Sequence, residues 1–147
     1  MDIRIIVPCY NEGEVILKTY DRLTEILTED SLNRQYNYEL LFIDDGSHDK
    51  TINYIQEMAT HDNHVKYISF SRNFGKESAM IAGFQHSVNC DAVVMIDADL
   101  QHPPELIPQM VDSYLEGNDQ VVAKRDRTGE KRSRKWLTKV YYKVINH

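Results

Sequence analysis

Asp97 and Asp99 stand one residue apart, directly after the apolar run Val93-Val94-Met95-Ile96. A strand continuing through Asp99 puts both carboxylates on one face and Ala98 on the other. Carboxylates held that close repel unless positive charge lies between them. Mg²⁺ or Mn²⁺ suits that place, because hard cations select oxygen ligands and share them with substrate phosphates. The spacing equally describes a solvated turn after a buried strand, so Asp-X-Asp alone leaves both readings open.

Four other stretches end in unusual chemistry. Ile3 to Val7 is a β-branched run stopped by Pro8, with Cys9-Tyr10-Asn11-Glu12-Gly13 after it. Glu39 to Ile43 ends in Asp44-Asp45-Gly46-Ser47, and Val65 to Phe70 runs into Ser71-Arg72-Asn73-Phe74-Gly75-Lys76. Gln120 to Ala123 leads into Lys124-Arg125-Asp126-Arg127. Each run has strand length, Val65 to Phe70 being the weaker and only partly alternating one.

Helical periodicity fills the gaps. Ile16, Tyr20, Leu23 and Leu27 share one helical face, and the polar residues 28–37 read as a connection. Asp49 is placed to cap a helix whose inward face is Ile52, Ile55 and Ala59. A third helix presents Ile81, Phe84 and Val88. Pro103-Pro104 opens a fourth, with Ile107, Met110, Val111, Tyr114 and Leu115 at helical spacing.

Five strands alternating with helices predict an α/β fold, a three-layer, mainly parallel sheet with right-handed crossovers. In such sheets ligands bind beyond the carboxyl ends of the strands, at the topological switch point. The five polar loops all follow strands, so they should converge on one crevice.

At 147 residues the chain reads as one domain. Residues 1–130 are its core, and 131–147 form a basic amphipathic helix carrying Trp136, Val140, Tyr141 and Val144 beside Lys135, Lys139 and Lys143. The net charge of −6 is unevenly spread. Residues 124–147 hold nine Lys/Arg against two acids, and the first 123 hold eight against twenty-one. That acidic body argues against nucleic-acid binding. The basic end suits phosphates, an anionic membrane surface or plain solvation, and peripheral membrane contact through 131–147 is the sharper expectation. No run is long enough for a leader or a membrane span. Cys9 and Cys90 form no metal or redox pair, which fits reduced thiols in the cytoplasm.

Neither the dinucleotide fingerprint nor a P-loop is present. The loops instead offer carboxylates for ribose hydroxyls and base N–H groups, and a metal on Asp97 and Asp99 to bridge a diphosphate, with Arg125 or Lys76 taking further charge. Together they describe a nucleotide-diphosphate site.

The run Ile6-Val7-Pro8-Cys9-Tyr10-Asn11-Glu12, then Ile43-Asp44-Asp45-Gly46-Ser47, then Asp97-Ala98-Asp99, resembles glycosyltransferase family 2. With Ser71 to Glu77 and Asp97 to Pro104 added, the likeness is to its polyprenyl-phosphate sugar transferases, such as bactoprenol glucosyltransferases and dolichol-phosphate mannose synthases. The resemblance implies a GT-A fold (the Rossmann-like nucleotide-diphospho-sugar transferase fold) and metal-dependent, inverting transfer from a nucleotide diphosphate sugar to a polyprenyl phosphate. It places Pro8, Tyr10, Asn11 and Glu12 along the nucleoside and Asp45 at the base. Asp97 and Asp99 would hold metal and ribose or diphosphate, Gln101 would be a further metal contact, and Arg125 would face the phosphates.

Uridine diphosphate glucose is the donor that the resemblance favours. Members of this type continue past the point where this chain stops, so it corresponds to a donor half whose C-terminal part is missing, and no catalytic base is named. Its cytoplasmic placement then extends to the inner face of the membrane. Two rivals remain: a non-catalytic fragment that only binds nucleotide diphosphate and metal, and a receiver-type signalling domain, which also gathers acids at strand ends.

Overall fold

The computed structural model describes residues 1–123. The expected helix over 131–147, the 130/131 boundary and Arg125 lie outside the described residues.

Four parallel strands, β1 (Asp2–Cys9), β2 (Asn37–Asp44), β3 (Val65–Ser69) and β4 (Ala92–Met95), form one sheet in the order β3-β2-β1-β4. Helices α1 (Ile16–Arg34), α2 (Thr51–His61), α3 (Lys76–Gln85) and α4 (Ile107–Leu115) connect or follow them, α4 being preceded by a 3-10 turn at Pro104–Leu106. Ile3, Ile5, Val7, Leu40 and Phe42 face α1, α2 and α4 through Leu23, Leu27, Ile55, Met58, Ile107 and Val111. Ile6, Leu41 and Ile43 point the other way, onto Ala79 of α3. A sheet with apolar side chains on both faces needs helices on both, which gives the three layers.

The chain builds outward from β1 to β2 to β3, then returns to the opposite side of β1 for β4. The switch point therefore lies between the carboxyl ends of β1 and β4. Pro8 sits inside β1, paired in register with Ile43. Ile6 accepts a hydrogen bond from the Ile96 N–H on the β4 side at 3.0 Å. The N–H that Pro8 lacks would point to that same side, beyond the end of the β4 pairing at Ile6↔Met95, so no ladder bond is lost.

Several elements differ from the sequence expectation. The helix α1 runs on through residues 28–34, because its polar end finds partners. Buried Asp30 pairs with Arg34 and accepts from the Tyr36 hydroxyl at 2.7 Å, and Arg34 makes two 2.9 Å bonds to Asp112 of α4. On α3 the inward face is not Ile81, Phe84 and Val88, all of which are exposed. It is Ala79 and Gly83, and a Cβ on Gly83 would lie 2.6 Å from Ile6 Cγ2. The helix approaches the sheet so closely that only small residues fit beneath it.

The strand expected at Gln120 to Ala123 is also absent: residues 120–123 carry no ladder pairing. A mainly apolar groove of ≈ 610 Å³ is lined by the β4 edge, α4 and these residues.

Candidate functional site

The ladder of β4 ends at Met95, yet its alternation persists for three residues. Ile96 and Ala98 are buried, while Asp97 is half-buried and Asp99 exposed. The two carboxylates thus share a side, as the period of two requires, although a turn begins at Ala98. Beneath them the Thr19 hydroxyl of α1 donates to the Ala98 carbonyl at 2.6 Å. Within the turn the Gln101 N–H caps Asp99 Oδ1 at 3.0 Å, and Leu100 adopts φ +58°.

The loops after β1 and β2 are stitched together. The Asn11 N–H donates to Ser47 Oγ at 2.9 Å, and Asn11 Oδ1 accepts from the His48 N–H at 2.9 Å. The Glu12 N–H donates to Thr51 Oγ1 at 2.8 Å. Asp49 accepts from the Gly13 N–H, the Thr51 N–H and the Thr51 hydroxyl at 2.9, 2.9 and 2.5 Å. Burial works against the charged Asp49 carboxylate, but these bonds outweigh it and hold its pKa below the usual carboxylate value.

Asp45, 3% exposed, clasps the loop after β3, accepting from the Phe74 N–H at 2.7 Å and the Gly75 N–H at 2.9 Å. Asp44 accepts from the Ser69 hydroxyl at 3.0 Å and plays a purely internal part. The clasp brings Lys76, the first residue of α3, into an ion pair with Asp97. On its other side Asp97 faces His102 Nδ1 at 3.4 Å.

Pro8, Cys9, Tyr10, Glu12, Asp45, Asn73, Gly75, Lys76, Asp97 and Asp99 consequently line one cleft of ≈ 240 Å³ at the switch point. The larger groove beside β4 is mainly apolar and has only Asp91 and Asp119 as acids, whereas Glu12, Asp45, Asp97 and Asp99 meet in the smaller cleft, so the chemistry belongs there. Of the residues singled out in the sequence, Asn11 is not in the lining. Its side chain braces the neighbouring loop, and its φ of +55° belongs to that turn. Gln101 is exposed and also outside the lining. Asn73 and Gly75 were not singled out, although the motif around them was. Thr19 carried one legible signal, a hydroxyl among the apolar positions of an amphipathic face.

The cleft is electrostatically negative around Glu12. Burial first, then the charges of Asp99, Asp49 and Asp97, push its pKa up. Burial and the charges of Asp44 and Glu12 likewise raise the Cys9 thiol well above its ordinary value, so it stays protonated and inert. A carboxyl whose folded pKa is raised stabilises the fold below its unfolded pKa and loses that contribution as pH rises through the folded value. Glu12→Gln should therefore raise the melting temperature of the metal-free protein near neutral pH, about pH 7, and the gain should vanish below about pH 4.3. Thermal melts across that range check it. Equal melting temperatures at neutral pH would contradict it.

The donor set suits a hard divalent cation. It is all oxygen, it is acidic, and one or two protein carboxylates suffice where phosphates complete the shell. Among the described residues no three His, Cys, Asp or Glu side chains converge on one metal position, so phosphate oxygens would have to supply the remaining ligands.

Comparison with known proteins agrees with this architecture. Residues 4–147 match the sequence profile described as glycosyl transferase family 2. The Bacillus subtilis protein CsbB is 48% identical over 144 residues, covering 98% of this chain and 42% of that protein. The bactoprenol glucosyl transferase of Shigella phage SfX is 41% identical over 147 residues, covering 99% and 47% respectively. The chain thus spans less than half the length of these relatives.

Among solved structures, the mannosyltransferase PcManGT of Pyrobaculum calidifontis, in complex with GDP-Man and Mn²⁺, superposes with a TM-score of 0.66 at 22% identity. That match covers 86% of this chain and 36% of the other. Residues 1–349 of TarS from S. aureus, in complex with UDP, give 0.58 at 18%, covering 88% and 40%. The shared fold is GT-A. With its profile matched from residue 4 to residue 147, its acidic turn at the switch point and its sheet order, the chain belongs to glycosyl transferase family 2.

Proposed function

We propose that this chain forms the donor-binding portion of an inverting glycosyltransferase that moves a sugar from a nucleotide diphosphate sugar to a polyprenyl phosphate, with Mg²⁺ or Mn²⁺. The observation that carries the reading is the convergence of Asp97, Asp99, Glu12, Asp45 and Lys76 on one cleft at the sheet's switch point. Support for a lipid phosphate acceptor comes from relatives named bactoprenol glucosyl transferases. Support for a nucleotide sugar and metal comes from neighbours solved with UDP and with GDP-Man and Mn²⁺.

The residues divide the work. Pro8 and Tyr10 wall the nucleoside, with Asp45 beneath the base and Asn11 bracing the rim. Asp97 and Asp99 hold the cation, with Gln101 beside them, and Glu12 adds to the negative field there. Lys76 balances Asp97 and is placed to take phosphate charge, and Arg125 is assigned the same role. Bound in this way, a divalent ion supplies Lewis-acid stabilisation of the departing nucleoside diphosphate. The acceptor phosphate is already an anion, so its attack asks less of a general base than a sugar hydroxyl would.

Uridine diphosphate glucose is the favoured donor, and the basic stretch 131–147 is proposed to meet an anionic membrane surface at its cytoplasmic face. Calorimetry against uridine and guanosine diphosphates and their sugars, with and without Mn²⁺, tests the donor site. Absence of any metal-dependent nucleotide binding overturns the reading. Radiolabelled sugar recovered in a lipid fraction separates the transferase from a chain that only binds nucleotide.

A further inference from the structure

We infer that Thr19, outside the cleft and with no access to ligand, is a positioning residue that sets the Asp97–Asp99 turn in its metal-binding shape. The inference rests on the functional reading above. Thr19 is fully buried on α1, and Ala98 is 2% exposed. The hydroxyl has two carbonyls in reach, Val15 at 3.2 Å on its own helix and Ala98 at 2.6 Å. A threonine serving only its helix bonds back to the residue four positions earlier. Here the shorter bond crosses to the turn.

The location of that bond gives it leverage. Upstream, the Ile96 N–H is tied to Ile6 at 3.0 Å, and downstream the helical turn starts at Pro104. Between them, the Gln101 N–H to Asp99 bond is internal, and Leu100 is held at φ +58°, a conformation costly for a branched side chain. Among the described residues, Thr19 makes the one hydrogen bond from another element to the backbone between Asp97 and Pro103. Pulling the Ala98 carbonyl toward α1 turns the side chains on either side of it outward. Asp97 then meets Lys76, and Asp99 opens onto the cleft. Without the bond, a buried carbonyl lacks this partner and the turn is free to rotate.

Thr19→Val keeps the shape of the side chain and removes the hydroxyl, and Thr19→Ser keeps the hydroxyl. In the full chain, three quantities are to be measured: UDP affinity with Mn²⁺, UDP affinity without metal, and hydrogen exchange of the Asp99, Leu100 and Gln101 amides. Thr19→Val should weaken Mn²⁺-supported UDP binding about tenfold, equivalent to about 1.4 kcal/mol. It should leave metal-free UDP binding unchanged and speed exchange at those three amides, while Thr19→Ser keeps all three readings at their native values. Should the valine variant not fold, Thr19→Cys, with its weak donor, takes its place with the same expectations.

Native exchange in the turn of Thr19→Val overturns the inference, and so does faster exchange with unchanged Mn²⁺-supported affinity. Both results leave the donor-site reading standing. A native chain whose UDP binding ignores Mn²⁺ overturns that reading, and this inference with it.

Discussion

Asp99→Ala should abolish the enhancement of nucleotide-diphosphate binding by Mn²⁺, weakening metal-supported affinity by about 100-fold or more, while the fold survives. The two acids of the turn are not equivalent. Asp97 already shares its charge with Lys76 and faces His102, whereas among the described residues no cation pairs with Asp99. A divalent ion entering the cleft therefore meets its least compensated carboxylate at Asp99, and Asp97 must first loosen its hold on Lys76. Removing Asp99 takes away the ligand that needs no such exchange.

The stability terms nearly cancel. Loss of the bond from the Gln101 N–H costs about 0.5–1.5 kcal/mol, and relief of repulsion on Glu12 acts in the opposite direction. Melting curves should stay close to those of the native chain while titration calorimetry loses its metal dependence. Unchanged Mn²⁺-dependent affinity would show that the turn is the solvated one its spacing alone allows.

The acids were legible because strand alternation is a strong, local signal, and it still governs side-chain direction at Ala98, beyond the last ladder bond. The parallel, three-layer arrangement followed from strand-and-helix alternation for the same reason, while the strand order β3-β2-β1-β4 is a finding of the structure. What the periodicity could not show was depth. On α3 the apolar residues Ile81 and Phe84 look inward in sequence, but the separation of helix and sheet is set by Ala79 and Gly83. Small residues carry little weight in a hydrophobic pattern and great weight in a close approach. The end of α1 was hidden similarly, since its stabilising partner Asp112 lies 78 positions downstream of Arg34.

Within the site, residue type indicated membership for Pro8, Tyr10, Glu12, Asp45, Lys76, Asp97 and Asp99 but not for Asn11 or Gln101, and it did not indicate role. Asn11 and Asp45 both read as ligand contacts. The structure commits the Asn11 side-chain oxygen Oδ1 to the His48 N–H, and it commits both Asp45 oxygens to the Phe74 and Gly75 amides. A carboxylate oxygen has a second lone pair, so Asp45 can clasp the loop and still face a base N–H. No sequence pattern distinguishes those two uses.

The clasp also makes Gly46 the position where a single methyl group should do most damage. Gly46 adopts φ +70°, where a residue with a Cβ is strained by about 1–2 kcal/mol. Its Cβ would lie 2.3 Å from the Arg72 carbonyl carbon, 2.6 Å from Arg72 Cα and 2.7 Å from the Asn73 nitrogen. These are backbone atoms with no rotamer to escape into, so the whole Ser71–Lys76 loop must shift. That movement pulls Phe74 and Gly75 off Asp45 and carries Asn73 and Lys76 out of the cleft.

Overpacking of this kind adds about 1–3 kcal/mol to the strain, so Gly46→Ala should lose about 3 kcal/mol or more and bind nucleotide poorly even with Mn²⁺. Gly117→Ala is the control. It has φ +96° but, among the described residues, nothing within 4 Å of its Cβ, so it should show the conformational cost alone, about 1–2 kcal/mol, with nucleotide binding intact. Denaturant unfolding and nucleotide titration of both variants separate the two contributions. If Gly46→Ala were no less stable than Gly117→Ala, the loops after β2 and β3 would be independent, and Asp45 could not be the residue that joins them.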